Sequence, residues 1–179
     1  MSFADEFHER LDVWSDVQYC MPLMVQTGLR YQQVRILELG VRSGNSTSAW
    51  LLAAQQTGGH VWSVDTMAPE VPAHWADSGL WTFICGDDLA IPLPDGGFDV
   101  VFIDTSHSYA HTLAELRRFV PLVNPGGTVL AHDTLLERVD GEAQPFPVAH
   151  ALGTYCREAG LSWTEHGGQY GLGELRPGG

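Results

Sequence analysis

Apolar residues along the chain gather into short runs separated by turn signals, not into long alternating tracts. The clearest run is Val34-Arg35-Ile36-Leu37-Glu38-Leu39. It is followed by Val61 to Val64, Thr82 to Cys85, Asp99 to Ile103 and Thr128 to Ala131. Two weaker runs, Leu161 to Thr164 and Tyr170 to Leu175, come last. Runs of this length without strict alternation suit strands buried on both faces of a parallel sheet.

Helix-like segments fill several of the gaps. Ser46 to Gln56 follows the capping residues Asn45 or Ser46 and meets the stop Gly58-Gly59. Between Thr112 and Val120, the residues Leu113, Leu116 and Val120 share one face, and Pro121 ends the segment. Pro147 stands where a helix would begin, and Val148, Ala151, Leu152 and Tyr155 carry an apolar stripe as far as Gly160. Asn124-Pro125-Gly126-Gly127 predicts a tight turn into the fifth strand. Strands alternating with helices predict an α/β fold, a doubly wound and mostly parallel sheet of seven strands. Only His166-Gly167-Gly168-Gln169 separates the last two runs, too little for a crossover helix, so they must pair antiparallel. The chain divides into a short helical cap over residues 1–33, one domain over residues 34–175 and a loose tail over residues 176–179.

Nine Lys+Arg against 22 Asp+Glu leave a formal charge of −13. Nucleic-acid backbones and anionic membranes demand a basic face, so neither is expected as the main partner. No apolar run approaches the roughly 20 residues that span a bilayer, and the acidic, polar start does not read as a signal peptide. Cys20, Cys85 and Cys156 lie far apart with no CxxC pair. They suit a reducing cytoplasm and supply neither a disulfide framework nor a zinc knuckle.

Candidate chemistry begins after the first strand, at Glu38-Leu39-Gly40-Val41-Arg42-Ser43-Gly44-Asn45-Ser46. In an open parallel sheet, ligands bind beyond the carboxyl ends of the strands. Gly40 lets the backbone turn close to a ligand, and Gly44 lets helix and strand approach. Free N–H groups at the helix start favour an anion, here a carboxylate before a phosphate. Asp65 ends the next strand run, where a carboxylate accepts hydrogen bonds from both hydroxyls of a ribose. Arg42 and Asn45 occupy the second and third glycine positions of the dinucleotide fingerprint, which disfavours NAD, and no G-K-[ST] marks a nucleoside triphosphate site. The pattern predicts a nucleoside-type cofactor of another kind.

The segment Val34 to Leu51, V-R-I-L-E-L-G-V-R-S-G-N-S-T-S-A-W-L, resembles the first motif of class I S-adenosylmethionine-dependent methyltransferases. It is closest to the small-molecule branch in which an Arg replaces the middle glycine. Phe98 to Thr134 extends the likeness with F-D-V-V-F-I-D-T-S-H-S-Y and P-L-V-N-P-G-G-T-V-L-A-H-D-T, similar to segments of macrolide-sugar O-methyltransferases and a cephalosporin-hydroxylase-like group. The resemblance covers residues 34–175 and implies a Rossmann-like sheet with an antiparallel last strand. It implies that Glu38 and Gly40 lie by the methionine portion of S-adenosylmethionine, with Arg42, Ser43, Gly44, Asn45 and Ser46 along the same loop. Asp65 would hold the ribose, with Thr66 beside it on the cofactor, Met67 would press on the adenine face, and Gly86-Asp87-Asp88 would bring an acid, Asp87 or Asp88, near the adenine amino group. Asp104 would border the cofactor from the fourth strand.

Asp104 ends that strand and Asp133 follows the fifth, so both carboxylates should project into one crevice. Paired hard oxygen ligands suit Mg²⁺, which would orient an acceptor hydroxyl and lower its pKa. His107 fits the D-x-x-H spacing of the sugar O-methyltransferases, where the matching histidine is taken to be a general base. The chain departs from the family pattern at Thr134, where relatives carry an acid or amide, and at Ser106, where they often carry Asp. His107 and His111, one helical turn apart, also have the spacing to grip zinc. Trp14, Trp75 and Trp81 fall outside the strongest strand runs and are candidates for an apolar substrate wall, although a tryptophan is ordinarily core. The expected function is methyl transfer to the hydroxyl of a small-molecule acceptor. The alternative is a cofactor-binding fold that no longer methylates. The apolar side of the cap suits either a lid over the site or a homodimer contact.

Overall fold

The computed structural model describes residues 2–178; Met1 of the expected cap and Gly179 of the expected tail lie outside the described residues. Two helices, α1 (Phe3–Leu11) and α2 (Met21–Gly28), precede the sheet. The chain then runs through β1 (Arg35–Leu39), α3 (Asn45–Thr57), β2 (His60–Asp65), α4 (His74–Asp77), β3 (Trp81–Cys85) and β4 (Phe98–Ile103). It continues through α5 (Tyr109–Phe119), β5 (Val123–His132), α6 (Pro147–Ala159), β6 (Trp163–Glu165) and β7 (Leu172–Leu175). Strand order is β3-β2-β1-β4-β5-β7-β6. The first five strands pair parallel, and β7 is antiparallel to both β5 and β6. The seven-stranded, mostly parallel architecture is therefore as expected.

Two apolar layers sandwich the sheet. On one face, Phe3, Phe7, Met21 and Met24 from α1 and α2 meet Trp50 of α3 and Phe102 of β4. On the other, Leu113, Leu116 and Phe119 of α5 meet Leu152 of α6 and Leu37 of β1. Burying each such side chain contributes roughly 1.5–3 kcal/mol. Helix α3 is buried on nearly all sides because α1 and α2 cover the face that the sheet does not. Gly28 of α2 permits this contact, since a Cβ there would come within 2.6 Å of Ala53. Among the described residues, no helix is long and apolar enough to cross a membrane.

Several local expectations change. The N-cap of α3 is Gly44, left-handed at φ 77° and without a side-chain cap, not Asn45 or Ser46. Helix α5 starts three residues early because Ser108 caps it, accepting from His111 N–H, and Val120–Leu122 form a separate 3₁₀ turn around Pro121. The Asn124–Gly127 turn is an excursion inside β5: Phe98 pairs with Val123 and Val100 with Thr128, so the intervening residues bulge out. The tryptophans do not form a substrate wall. Trp75 and Trp81 pack edge-on in the core, ring centres 5.8 Å apart, and Trp14 is exposed.

Candidate active site

The loops that leave the carboxyl ends of β1 to β4 enclose a cavity of ≈ 530 Å³, a size that suits a small-molecule ligand. Gly40, Arg42, Ser43, Asn45, Ser46, Asp65, Thr66, Gly86, Asp87, Asp88, Asp104 and His107 all line it. Gly40 carries φ 89°, and a Cβ on it would meet the Asp104 carbonyl oxygen at 1.9 Å. Only glycine lets the first loop pass this close to the end of β4. Arg42 is left-handed too, at φ 51°, the conformation a glycine would take at that position.

Asp65 organises the loop. Its Oδ2 accepts the N–H groups of Val41 and Arg42 at 2.9 and 3.1 Å, and its Oδ1 accepts Met67 N–H at 3.1 Å. Burial pushes the carboxyl up, but these three backbone donors outweigh it and hold Asp65 below the usual carboxylate range. Oδ2 is thereby filled, while Oδ1 also takes the exposed Thr66 hydroxyl in a long contact of 3.5 Å. The same turn carries the Met67 side chain out to 75% exposure, so it does not line the cavity.

Glu38 lies beneath the loop, fully buried, where it accepts the hydroxyls of Thr47 and Ser63 at 2.8 and 2.6 Å. Ser63 in turn accepts Trp81 Nε1–H. Burial pushes the Glu38 carboxyl up to about 7, against the hydroxyls of Ser46, Ser63 and Thr47. One of its oxygens, Oε1, has no partner. Gly44 is also off the cavity wall: its backbone abuts the Trp75 ring, which a Cβ would approach to 2.8 Å.

Past β3, Asp87 accepts the Leu89 N–H and faces solvent, whereas Asp88 is buried and ion-paired to His111 at 3.1 Å. Glu115 sits 3.7 Å from the same ring and accepts the Thr105 hydroxyl at 2.8 Å. Burial, reinforced by Asp88, holds Glu115 well above the usual carboxylate range. Glu115 is not among the residues expected from the sequence, although an acid that shares a buried helical stripe with Thr112, Leu116 and Phe119 is a detectable signal. Asp16 and Val17, equally unexpected, reach the cavity from the loop between α1 and α2.

The remaining acids meet at the ends of β4 and β5. His107 Nε2 lies 3.1 Å from Asp104 Oδ1 and 2.9 Å from Asp133 Oδ2. Buried His132 brings Nδ1 to 3.2 Å from Asp133 and 3.5 Å from Asp104, without hydrogen-bond alignment. Burial depresses both rings, yet the two carboxylates win and push His107 up to about 9 and His132 up to about 12. Burial likewise raises Asp104 and Asp133, but the hydrogen bond from His107 and the charge of His132 hold both low. The group is two anions balanced by two cations. His107 and Asp133 both have left-handed backbones, φ 56° and 65°. His107 precedes α5 and turns toward Asp133, whereas His111 turns to Asp88, so the structure separates the two histidines that had zinc spacing.

Residues 37–134 match the model of a family described as a methyltransferase domain. No curated protein matches the chain. Among solved structures, a Corynebacterium glutamicum protein superposes with a TM-score of 0.74 at 15% identity, covering 98% of this chain and 88% of the other. PaMTH1, a Podospora anserina methyltransferase solved with SAH, gives a TM-score of 0.65 at 16% identity over 97% and 86% of the two chains. MycE, a methyltransferase of the mycinamycin biosynthetic pathway solved with Mg, SAH and mycinamycin VI, gives 0.71 at 22% identity. The match covers 97% of this chain but only 54% of MycE, so the chain spans about half of that enzyme's length. At these identities the likenesses establish the fold.

Proposed function

The chain belongs to this methyltransferase-domain family, and from that premise we propose an S-adenosylmethionine-dependent enzyme that methylates a hydroxyl of a small-molecule acceptor. When bound, the cofactor supplies a methyl group on a sulfonium cation, open to in-line attack. The chain's own contribution is position and charge. Asp65 Oδ1 would take a ribose hydroxyl in place of its long contact with the exposed Thr66 hydroxyl. The uncapped start of α3 places Asn45 and Ser46 on the wall for a carboxylate. Asp65 and Asp87, which face no cationic side chain among the described residues, leave that cavity the negative potential a sulfonium and an ammonium require. These donors and acceptors fit the cofactor.

His107, on the cavity wall, would take the acceptor proton. Mg²⁺ would take Asp104 and Asp133 as oxygen donors and would acidify an acceptor hydroxyl. The two carboxylates fit it only once His107 leaves the space between them, since its Nε2 lies within 3.1 Å of both. The same geometry favours a second reading, a fold that binds cofactor without methylating, because an imidazolium cannot accept a proton.

One observation carries the first reading. Four separate strand ends bring Gly40, Asp65, Asp88 and Asp104 onto one cavity, with His107 beside them. Calorimetric titration with SAH tests the cofactor half and should show one site on the native protein. Release of SAH from S-adenosylmethionine with a hydroxylated acceptor then separates the two readings. A protein that binds neither ligand sinks both.

A further inference from the structure

Arg10 is not on the cavity wall. It lies in the last turn of α1, and its Nη1 donates to the Ser43 carbonyl at 3.0 Å and to Asn45 Oδ1 at 2.8 Å. The guanidinium rests over the Trp75 ring, 5.2 Å from its centre. Trp75 is fixed in turn, since its Nε1 donates to buried Glu6 Oε2 at 2.6 Å, one turn earlier on α1. Glu6 Oε1 also meets His74 at 2.8 Å. The indole packs against Gly44, so α1, the Trp75 ring and the glycine loop make a closed set of contacts.

That loop needs an external brace. It holds Arg42 in a left-handed conformation, which in a non-glycine persists only where the surroundings over-determine it. A second strut, Arg42 to Asp16 at 2.6 Å, is largely exposed and contributes little. The position of Arg10 is also unfavourable for α3 taken alone. A cation beside a helix N-terminus opposes the helix dipole, and burial already lowers the Arg10 pKa. An anion bound at the start of α3 would offset both costs.

We infer that Arg10 is a positioning residue of the cap, one that sets the first loop for the carboxylate of the cofactor's amino-acid portion. This rests on the reading of residues 40–46 as the cofactor loop. Two ligands discriminate: SAH carries the amino-acid portion, and 5′-methylthioadenosine has the same adenosine without it. Titration of Arg10→Gln, which removes the guanidinium contacts to the Ser43 carbonyl and Asn45, should show SAH binding weakened roughly tenfold, with methylthioadenosine within about twofold of the parent protein. Arg10→Lys, which keeps the charge and one donor, should recover part of the SAH affinity; it carries the same test if the Gln variant does not fold. Parallel losses for both ligands would mark a merely structural role and overturn the inference, as would unchanged SAH affinity. Failure of the parent protein to bind SAH would instead remove the cofactor reading beneath it.

Discussion

At the end of the site built from β1, β2 and β3, backbone N–H groups satisfy the prominent carboxylate. At the end built from β4 and β5, charged side chains satisfy one another. Asp65 takes three backbone donors, whereas Asp104 and Asp133 take two imidazolium rings. The backbones differ in the same sense. At the first end the left-handed positions Gly40 and Gly44 are glycines; at the second they are His107 and Asp133, where each costs of order 1–3 kcal/mol. The first end tolerates the loss of a side chain, because a freed N–H turns to water. The second does not, because every removal strands an opposite charge out of water.

Asp133→Ala is the most severe way to break this contrast. It leaves His132, with 1% of its surface exposed, facing one carboxylate in place of two. Removing one partner of a buried pair costs about 3–5 kcal/mol, to be read as a fall in the urea midpoint. A loss under about 1 kcal/mol would mean that the pair is hydrated and the contrast illusory.

Glu38 extends the contrast below the loop, where hydroxyls face a buried acid. Its pKa stands at about 7 in the folded chain against an ordinary 4.5. Between those values the native state holds a proton that the unfolded chain has released, so stability falls as pH rises through the window and is level above it. The shift corresponds to about 3 kcal/mol. In Glu38→Gln that decline should disappear, so the gap between variant and parent narrows or reverses from pH 4 to pH 8. Parallel stability profiles across this range would show that Glu38 does not hold a proton.

Smaller still is Asp65→Asn, which keeps one carbonyl acceptor but sets an amide nitrogen against backbone N–H donors. SAH affinity should fall roughly tenfold, the scale of one hydrogen bond to a charged group. Unchanged affinity by calorimetry would detach Asp65 from the ribose.

The two ends also differ in how much of them the sequence discloses. Gly40 and Asp65 are legible because each follows directly on a strand run whose burial on both faces is visible in its composition. Asp104 and Asp133 are placed by the same rule. The charge on His107 is not legible, since it depends on Asp133, a residue brought beside it only by the β4–β5 pairing. Met67 is misplaced from sequence because its N–H turns in toward Asp65 while its side chain turns out. Asp16, Val17 and Arg10 carry no local signal. Their roles come from the packing of the cap on α3, a contact that helical periodicity announces without naming its partner.

Arg42 is the one place where the backbone end breaks its own rule, a non-glycine at φ 51° among left-handed glycines. Two small terms oppose each other there. Its ion pair with Asp16 involves a side chain 81% exposed, worth about 1 kcal/mol at most. Its left-handed backbone costs roughly 1–2 kcal/mol, which glycine would relieve, less about 0.5–1 kcal/mol for the looser unfolded chain. Arg42→Gly should therefore lie close to the parent protein in urea midpoint, and Arg42→Ala, which loses the pair and keeps the strain, should lie below both. In about 1 M salt, where screening reaches within ~3 Å, the gap between Ala and parent should close while the gap between Gly and Ala persists. An alanine variant as stable as the glycine variant would show that the loop relaxes without strain. The left-handed turn would then reflect the grip of Asp65 on its N–H rather than a fixed requirement of the fold.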